Sequence, residues 1–123
     1  MGRILVIDDE PALRRILSLM VAIDGHDAIE AETVEEAQAA LERWHFDLVL
    51  TDHRLRDGTG LEVVAAAHSA DPTLPVVLVT AYASRGTAAA GRQAGAFDVV
   101  AKPFELRTIQ AVIARAVRST AGC

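Results

Sequence analysis

Apolar residues follow two different patterns along the chain, one typical of strands and one typical of helices. Four short runs are mainly apolar without alternation: 4–7, 46–51, 76–79 and 99–101. Such runs are typical of parallel strands whose two faces are both covered. Residues 27–32 instead alternate polar with apolar side chains, which indicates a half-exposed strand at a sheet edge. Apolar residues at helical spacing follow each strand, so the sequence predicts five strand–helix units.

The helices have recognisable ends and apolar faces. Pro11 suits the first position of the first helix. Two capping boxes predict where the second and third helices begin: Thr33 with Glu36, and Thr59 with Glu62. The side chains predicted to face the core are Leu13, Ile16, Leu17 and Met20 in the first helix, and Val34, Ala37, Leu41 and Trp44 in the second.

The fourth helix, predicted over 87–94, carries small apolar side chains and an interior glycine, Gly91. An interior glycine costs about 1 kcal/mol relative to alanine, and burying methyl groups stabilises a helix less than burying leucines. We therefore expect this helix to be the most weakly held part of the domain and the part that moves.

Strands that alternate with helices predict an α/β fold, a three-layer doubly wound five-stranded parallel sheet. The flavodoxin-like order 2-1-3-4-5 places the alternating strand at an edge and reverses the winding between the first and third strands. Ligands bind at such a reversal, beyond the carboxyl ends of the strands. Polar residues stand at four of these strand ends: Asp8 and Asp9 after the first, Asp52 after the third, Thr80 after the fourth and Lys102 after the fifth.

These side chains suit the transfer of a phosphoryl group to a carboxylate. Three clustered carboxylates repel each other by roughly 4 kcal/mol per pair at about 4 Å and an effective dielectric constant near 20, so a cation must compensate. Mg²⁺ takes carboxylate oxygens and joins them to phosphate. Lys102 supplies a positive charge and Thr80 a hydroxyl donor around Asp52. Taken singly, each residue also fits an ordinary role; Asp8 and Asp9 would end a strand and favour a helix N-terminus.

Length, charge and cysteine content narrow the class of protein. The chain has 123 residues, 51% of them hydrophobic, which predicts one domain over 1–119 and a tail or the start of a linker at 120–123. The net charge of −5 argues against direct nucleic acid binding by this domain. No apolar run approaches the roughly 20 residues that cross a bilayer, so we expect a cytoplasmic protein without membrane contact. The single cysteine, Cys123, fits a reducing compartment, and the histidines lack metal-ligand spacing.

The strand-end motifs, in this order, resemble those of the receiver domain of bacterial two-component response regulators. They are Asp8-Asp9, Leu48-Val49-Leu50-Thr51-Asp52, Asp57-Gly58-Thr59-Gly60-Leu61-Glu62, Thr80-Ala81-Tyr82 and Lys102-Pro103-Phe104. They span nearly the whole chain, which looks most like receivers of the transcription-activating, NtrC-like branch. The resemblance implies a CheY-like fold and a cis peptide bond between Lys102 and Pro103.

The resemblance also implies a role for each site residue. A sensor histidine kinase would phosphorylate Asp52; Asp8, Asp9 and Asp52 would hold Mg²⁺; Thr80 and Lys102 would contact the phosphoryl group. It implies no enzyme activity beyond the domain's own phosphorylation and dephosphorylation. The changed face around the fourth helix and fifth strand would be read by an effector domain, by a partner protein or by a second copy in a homodimer.

Two positions depart from the family pattern. Val99 stands three residues before the lysine, where the family usually has an aromatic residue that turns inward with the threonine. Phe97, two residues earlier and predicted on the same strand face, and Tyr82 are the candidates to replace it, although core packing is the stronger interpretation for Phe97. Arg56 stands where the family commonly has proline, so we expect a less rigid loop there.

These departures leave alternatives open. A receiver-like interaction module that signals without phosphorylation would bind its partner equally with and without a phosphodonor. A Mg²⁺-dependent phosphatase that passes through an aspartyl phosphate would need a separate general acid and a substrate pocket, and the sequence offers no candidate for either.

Overall fold

A parallel sheet forms the middle layer of the molecule. The structure is a computed structural model that describes residues 2–81 and 85–121. In chain order the strands are β1 (Arg3–Ile7), β2 (Asp27–Ala31), β3 (Leu48–Asp52), β4 (Arg54–Leu55), β5 (Gly58–Thr59), β6 (Val76–Thr80) and β7 (Asp98–Ala101). The helices are α1 (Pro11–Ile23), α2 (Val34–Arg43), α3 (Gly60–Ala70), α4 (Arg85–Gln93) and α5 (Leu106–Ala121).

The order of the strands confirms the predicted fold class. Five strands pair in parallel in the order β2-β1-β3-β6-β7, while β4 and β5 form a separate antiparallel ribbon. Counted within the large sheet alone, this is the order 2-1-3-4-5, with the alternating strand β2 at one edge. In the register, Ile7 lies beside Thr51 and Asp52 lies beside Val79, so the carboxyl ends of β1, β3 and β6 are neighbours.

Helices cover both faces of the sheet, each over its own apolar layer. On one face, α2 and α3 pack on strand residues that include Leu5 and Leu78. On the other face, α1 and α5 pack on strand residues that include Leu50 and Val79. Because successive strand residues point to opposite faces, a strand covered on both sides needs apolar residues throughout, which explains the unbroken apolar runs.

Capping residues begin two helices as predicted. The hydroxyl oxygen of Thr33 accepts a hydrogen bond from the N–H of Glu36 at 3.1 Å, at the start of α2. At the start of α3, Thr59 accepts from the N–H of Glu62 at 3.4 Å. These bonds satisfy N–H groups that have no partner inside the helix.

The prediction that Trp44 faces the core is wrong. Helix α2 ends at Arg43, and Trp44 follows with an extended backbone (φ −125°, ψ 151°), so the helical spacing no longer applies to it. Its side chain is 40% exposed, and the guanidinium carbon of Arg3 lies 4.7 Å from the ring centroid. The tryptophan therefore stacks with arginine at the surface.

The prediction for α1 is wrong at Ile16. The buried residues of α1 are Leu17, Ser18 and Val21, whereas Ile16 is 42% exposed. With 3.6 residues per turn, the face toward the sheet is centred one position later than the predicted stripe, and Ile16 is left at the surface.

Helix α4 approaches the sheet closely at its interior glycine. A Cβ added to Gly91 would lie 2.8 Å from Cδ1 of Leu78 and 3.1 Å from Cγ2 of Val99. The glycine is therefore needed for the helix to lie this near the strands. Gly95 follows the helix with φ +105°, a conformation that favours glycine.

The end of the domain stays a prediction. Helix α5 runs to Ala121, and residues 122–123, part of the tail predicted at 120–123, lie outside the described residues, as does the thiol of Cys123.

Candidate functional site

The predicted site residues lie at the carboxyl edge of the sheet. Asp52 is the last residue of β3 and Thr80 the last residue of β6, while Asp8 and Lys102 directly follow β1 and β7. Asp8 and Thr80 are each only 1% exposed. The neighbouring strand ends bring polar groups from four separate stretches of sequence to one place, as the strand order predicted.

Asp8, Asp9 and Asp52 form an acidic cluster. One carboxylate oxygen from each lies within 4.8 Å of the others. The N–H of Glu10 donates to Oδ1 of Asp8 at 2.9 Å, and the N–H of Arg54 donates to Oδ1 of Asp52 at 3.4 Å. Three hard oxygen donors at this spacing could hold a divalent metal ion.

Lys102 joins two of the three carboxylates. Its Nζ donates to Oδ2 of Asp8 and to Oδ2 of Asp52, each at 3.1 Å. Burial lowers the pKa of Lys102, but the hydrogen bonds to the carboxylates of Asp8 and Asp52 and the negative charges of these groups together raise the pKa above its ordinary value. The lysine is therefore a fixed positive charge at neutral pH. The peptide bond from Lys102 to Pro103 is cis, as the resemblance implied.

The backbone at the end of β3 is held by its neighbours. The hydroxyl of Thr51 donates to the carbonyl oxygen of Asp52 at 3.0 Å, and the N–H of Gly60 donates to the carbonyl of His53 at 2.7 Å. A Cβ added to Gly60 would lie 2.5 Å from the carbonyl oxygen of Asp52. Only glycine lets the first turn of α3 lie this close to the strand end. The side chain of His53, the histidine next to Asp52, contains a buried Nδ1 that has no hydrogen-bond partner among the residues that the structure describes.

The loop between β3 and α3 is tied to helix α2. The Asp57 carboxylate accepts hydrogen bonds from the N–H groups of Val34 at 2.8 Å and Glu35 at 3.1 Å. The hydrogen bond from Val34 is the main reason that the pKa of Asp57 lies below its ordinary value. Arg56, the departure from the family's proline, pairs with Glu32 at 2.7 Å. The expectation that this loop is less rigid stays a prediction.

The prediction that Phe97 and Val99 share a strand face is wrong. Val99 packs on the layer beneath α2 and α3, whereas Phe97 packs on the opposite layer, beneath α1 and α5. Strand β7 begins only at Asp98, so the strict alternation of a strand does not extend back to Phe97. Phe97 is therefore partly buried against the layer beneath α1 and α5, and Tyr82 lies outside the described residues.

Three residues that support the site escaped the sequence analysis. Gly60 and Asp57 belong to the 57–62 motif, but the sequence does not indicate their supporting contacts, and no motif includes Arg14. The guanidinium of Arg14 donates to the carbonyl of Asp8 at 2.8 Å. Side chains that bind backbone atoms leave no pattern in the sequence, because any backbone carbonyl can accept.

Comparison with known protein families shows the family to which this chain belongs. The family described as the response regulator receiver domain matches residues 4–114, which is most of the chain. This chain belongs to that family. It is a receiver domain of the response regulators that act in phosphorelay signalling, and its fold matches those of solved receiver domains.

Relatives of this receiver domain are found among NtrC-family regulators. The response regulator protein PilR of Pseudomonas aeruginosa is 41% identical over 114 residues, which cover 93% of this chain and 26% of PilR. A CheY-like receiver domain protein from Methanospirillum hungatei is 29% identical, with a TM-score of 0.93 and coverage of 99% of this chain and 98% of that chain. NtrX from Brucella abortus is also 29% identical, with a TM-score of 0.91, over 98% of this chain and 27% of NtrX. The receiver domain thus spans about a quarter of the length of PilR and NtrX.

No helix within the described ranges 2–81 and 85–121 is long and apolar enough to span a membrane.

Proposed function

We propose that Asp52 of this receiver domain accepts a phosphoryl group from a sensor histidine kinase. One observation supports this most strongly: the Asp52 carboxylate shares the ammonium of Lys102 with Asp8 at the carboxyl edge of the sheet, at 3.1 Å on each side. The nucleophile, the acidic cluster and the fixed cation are therefore already together, which is what phosphoryl transfer to a carboxylate requires.

The transfer exchanges one bond to phosphorus for another. A carboxylate oxygen of Asp52 attacks the phosphorus of a phosphohistidine, the phosphorus–nitrogen bond breaks, and the imidazole keeps the electron pair and takes up a proton. Lys102 then neutralises the charge of the phosphoryl oxygens, and the Thr80 hydroxyl donates to one of them. The buried position of Thr80, 1% exposed, limits competition from water.

The acidic cluster fits Mg²⁺. Its donors are carboxylate oxygens of Asp8, Asp9 and Asp52, within 4.8 Å of one another, and hard oxygen ligands are those that Mg²⁺ takes. The position of the Lys102 ammonium between two of these carboxylates supports the fit, because it shows that the cluster attracts positive charge. When bound, Mg²⁺ supplies charge stabilisation for the transferring phosphoryl group.

An apolar groove beside the site suits the kinase. It has a volume of about 370 Å³ and is lined by Leu13, Ile16 and Met20 of α1 and by Lys102, Pro103 and Phe104 after β7, with Ala81. The adjoining face of α1 exposes Ile16 (42%), Leu19 (55%) and Ile23 (64%). Because Lys102 borders both groove and Asp52, a helix of the kinase docked here would bring its phosphohistidine to the acceptor.

Phosphorylation would change the face formed by α4 and β7. Thr80 moves toward the new phosphoryl group, and α4, which lies on the strands through Gly91, moves in response. In a longer regulator, this face would control an effector domain that acts in transcription, or would pair with a second copy. The domain itself catalyses only its own phosphorylation and dephosphorylation. A module that signals without phosphorylation is not favoured, because the acceptor, cluster and cation are all present.

The test is intact mass spectrometry after incubation with Mg²⁺ and acetyl phosphate. Wild type should gain one labile phosphoryl group, and Asp52→Asn should gain none. Asp27→Asn, which removes an exposed carboxylate of β2 instead, should be labelled like the wild type. Label that persists in Asp52→Asn would show a different acceptor, and no label on the wild type with either acetyl phosphate or a phosphorylated kinase would refute the proposal.

A further inference from the structure

Arg14 contacts the backbone of Asp8, one of the three residues of the acidic cluster. Its Nη1 donates to the carbonyl oxygen of Asp8 at 2.8 Å, and its Nε donates to Oε1 of Glu30 on β2 at 3.0 Å. The side chain is 18% exposed. The planar guanidinium thus connects the turn after β1 to the neighbouring edge strand.

These contacts complete the set that holds Asp8. Its N–H donates to the carbonyl of Ala31 at 3.2 Å, one carboxylate oxygen accepts from Glu10 at 2.9 Å, and the other accepts from Lys102 at 3.1 Å. The bond from Arg14 fixes the remaining polar atom, the carbonyl oxygen. The peptide plane after Asp8, from which Asp9 follows, is therefore set by Arg14.

We propose that Arg14 is a positioning residue for the metal site: it orients the Asp8-Asp9 turn so that both carboxylates face Asp52. The inference rests on the proposed function, because Mg²⁺ is the ion that the oriented carboxylates would bind. Arg14 binds through the backbone of Asp8 and does not itself contact the metal.

Charge and geometry make opposite predictions for this residue. Removing a positive charge near three carboxylates would, by electrostatics alone, strengthen the binding of a cation. Removing a group that orients ligands weakens metal binding, typically by about tenfold or more. The sign of the change in Mg²⁺ affinity therefore distinguishes the two effects.

The experiment is calorimetric titration of the wild type and three variants with Mg²⁺. Arg14→Lys keeps the charge, but a lysine ammonium lacks the planar fork that reaches both acceptors, so binding should weaken several-fold. Arg14→Gln should bind about tenfold more weakly than wild type. Arg15→Gln removes the same charge from the exposed next position of α1, and it should bind as tightly as wild type or slightly more tightly.

A second readout separates positioning from a general loss of stability. With Mg²⁺ omitted, the melting temperatures of Arg14→Lys and wild type should be similar, whereas the rise in melting temperature at a fixed Mg²⁺ concentration should be smaller for the variant. Labelling by acetyl phosphate should need more Mg²⁺ in the variant but reach the wild-type rate at saturation. Unchanged or tighter Mg²⁺ binding by both Arg14 variants would overturn the inference while leaving the proposed function intact; a wild type that binds no Mg²⁺ would overturn both.

Discussion

The turns around the acidic cluster and helix α4 are held by contrasting interactions. Around the cluster, charged side chains bind backbone groups: Arg14 donates to the Asp8 carbonyl at 2.8 Å, and Asp57 accepts from the first N–H groups of α2. Helix α4 lies on the sheet through Gly91, and its ion pair from Arg92 to Asp98 is long, at 3.5 Å. Charge-assisted hydrogen bonds are stronger than exposed ion pairs. We therefore predict that the turns around the acidic cluster are held more firmly than α4, and that α4 is the part that adjusts.

Leu78 connects these two regions through the core. A Cβ added to Gly60, beside Asp52, would lie 2.7 Å from Cδ2 of Leu78, and a Cβ added to Gly91 of α4 would lie 2.8 Å from Cδ1 of the same residue. Leu78 is fully buried. One methyl group of Leu78 therefore fills the space at Gly60, and the other fills the space at Gly91. A displacement at the end of β3 would be transmitted to α4 through this one side chain.

A Cβ added at Gly60, against the end of β3, should have the largest effect. Gly60→Ala places a Cβ 2.5 Å from the backbone carbonyl oxygen of Asp52, and backbone cannot move aside as easily as a side chain. We expect the free energy of unfolding to fall by about 2–3 kcal/mol, and labelling of Asp52 by acetyl phosphate to slow. Urea-induced unfolding measures the first effect and intact mass the second.

Gly58→Ala is the matched control for this crowding. The atoms nearest to its added Cβ would be those of the Glu62 carboxylate, at 2.8 Å and beyond, and a flexible side chain rotates away at little cost. A Gly60→Ala protein as stable as Gly58→Ala would show that the end of β3 is not rigidly held.

The site could be predicted from the sequence because it depends on strand ends. Once apolar runs define parallel strands, their carboxyl ends must share an edge, so Asp8, Asp52 and Lys102 had to come together. The supporting contacts could not be predicted. Asp57 caps α2 by accepting from the N–H of Val34, which is 23 residues away in the sequence. No local pattern indicates a cap that is so distant in sequence.

Two of the wrong predictions, for Trp44 and Phe97, have a shared cause at the ends of elements, whereas the error at Ile16, inside α1, is a shift of the helix face. Trp44 and Phe97 were assigned by extending helical or strand spacing one residue beyond its limit. Element boundaries are set by tertiary contacts and caps, so a residue just outside an element can face either way. The weak anchoring of α4, by contrast, is predicted from the composition of the helix alone. It stays a prediction, which the next experiment tests.

Crowding helix α4 should have a smaller and more local effect. Gly91→Ala gains about 1 kcal/mol of helix propensity but places a Cβ against Leu78 and Val99 at 2.8 and 3.1 Å, which costs about 1–3 kcal/mol. We expect a net loss of about 1 kcal/mol and faster amide hydrogen exchange in α4, with labelling of Asp52 unchanged. Combining Gly91→Ala with Val99→Ala should restore part of the protection, since the second change removes one of the crowded methyl groups. Exchange that increases equally in α1 would contradict a separately adjustable α4.

The smallest expected effect is at the ion pairs where α4 and α5 meet β7. Asp98 accepts from Arg115 at 2.6 Å and from Arg92 at 3.5 Å. Burial raises the pKa of Asp98, but the Arg115 hydrogen bond, the Val99 N–H and the two arginine charges together lower it below its ordinary value of 3.8. Because the folded state holds its proton less tightly than the unfolded state, this contribution to stability is present above pH 3.8 and is lost as the pH falls through the folded-state pKa.

Asp98→Asn tests this contribution through its pH dependence. At neutral pH the variant should lose at most about 1 kcal/mol, since the arginines are largely exposed and solvent screens their charges. Urea unfolding of both proteins from about pH 7 to about pH 3 should show the difference shrinking as Asp98 of the wild type becomes protonated. A difference that is constant over this range would mean that the neutral Asp98 side chain stabilises as well as the ionised one, and that hydrogen bonding alone, without charge, holds α4 and α5 to the edge strand.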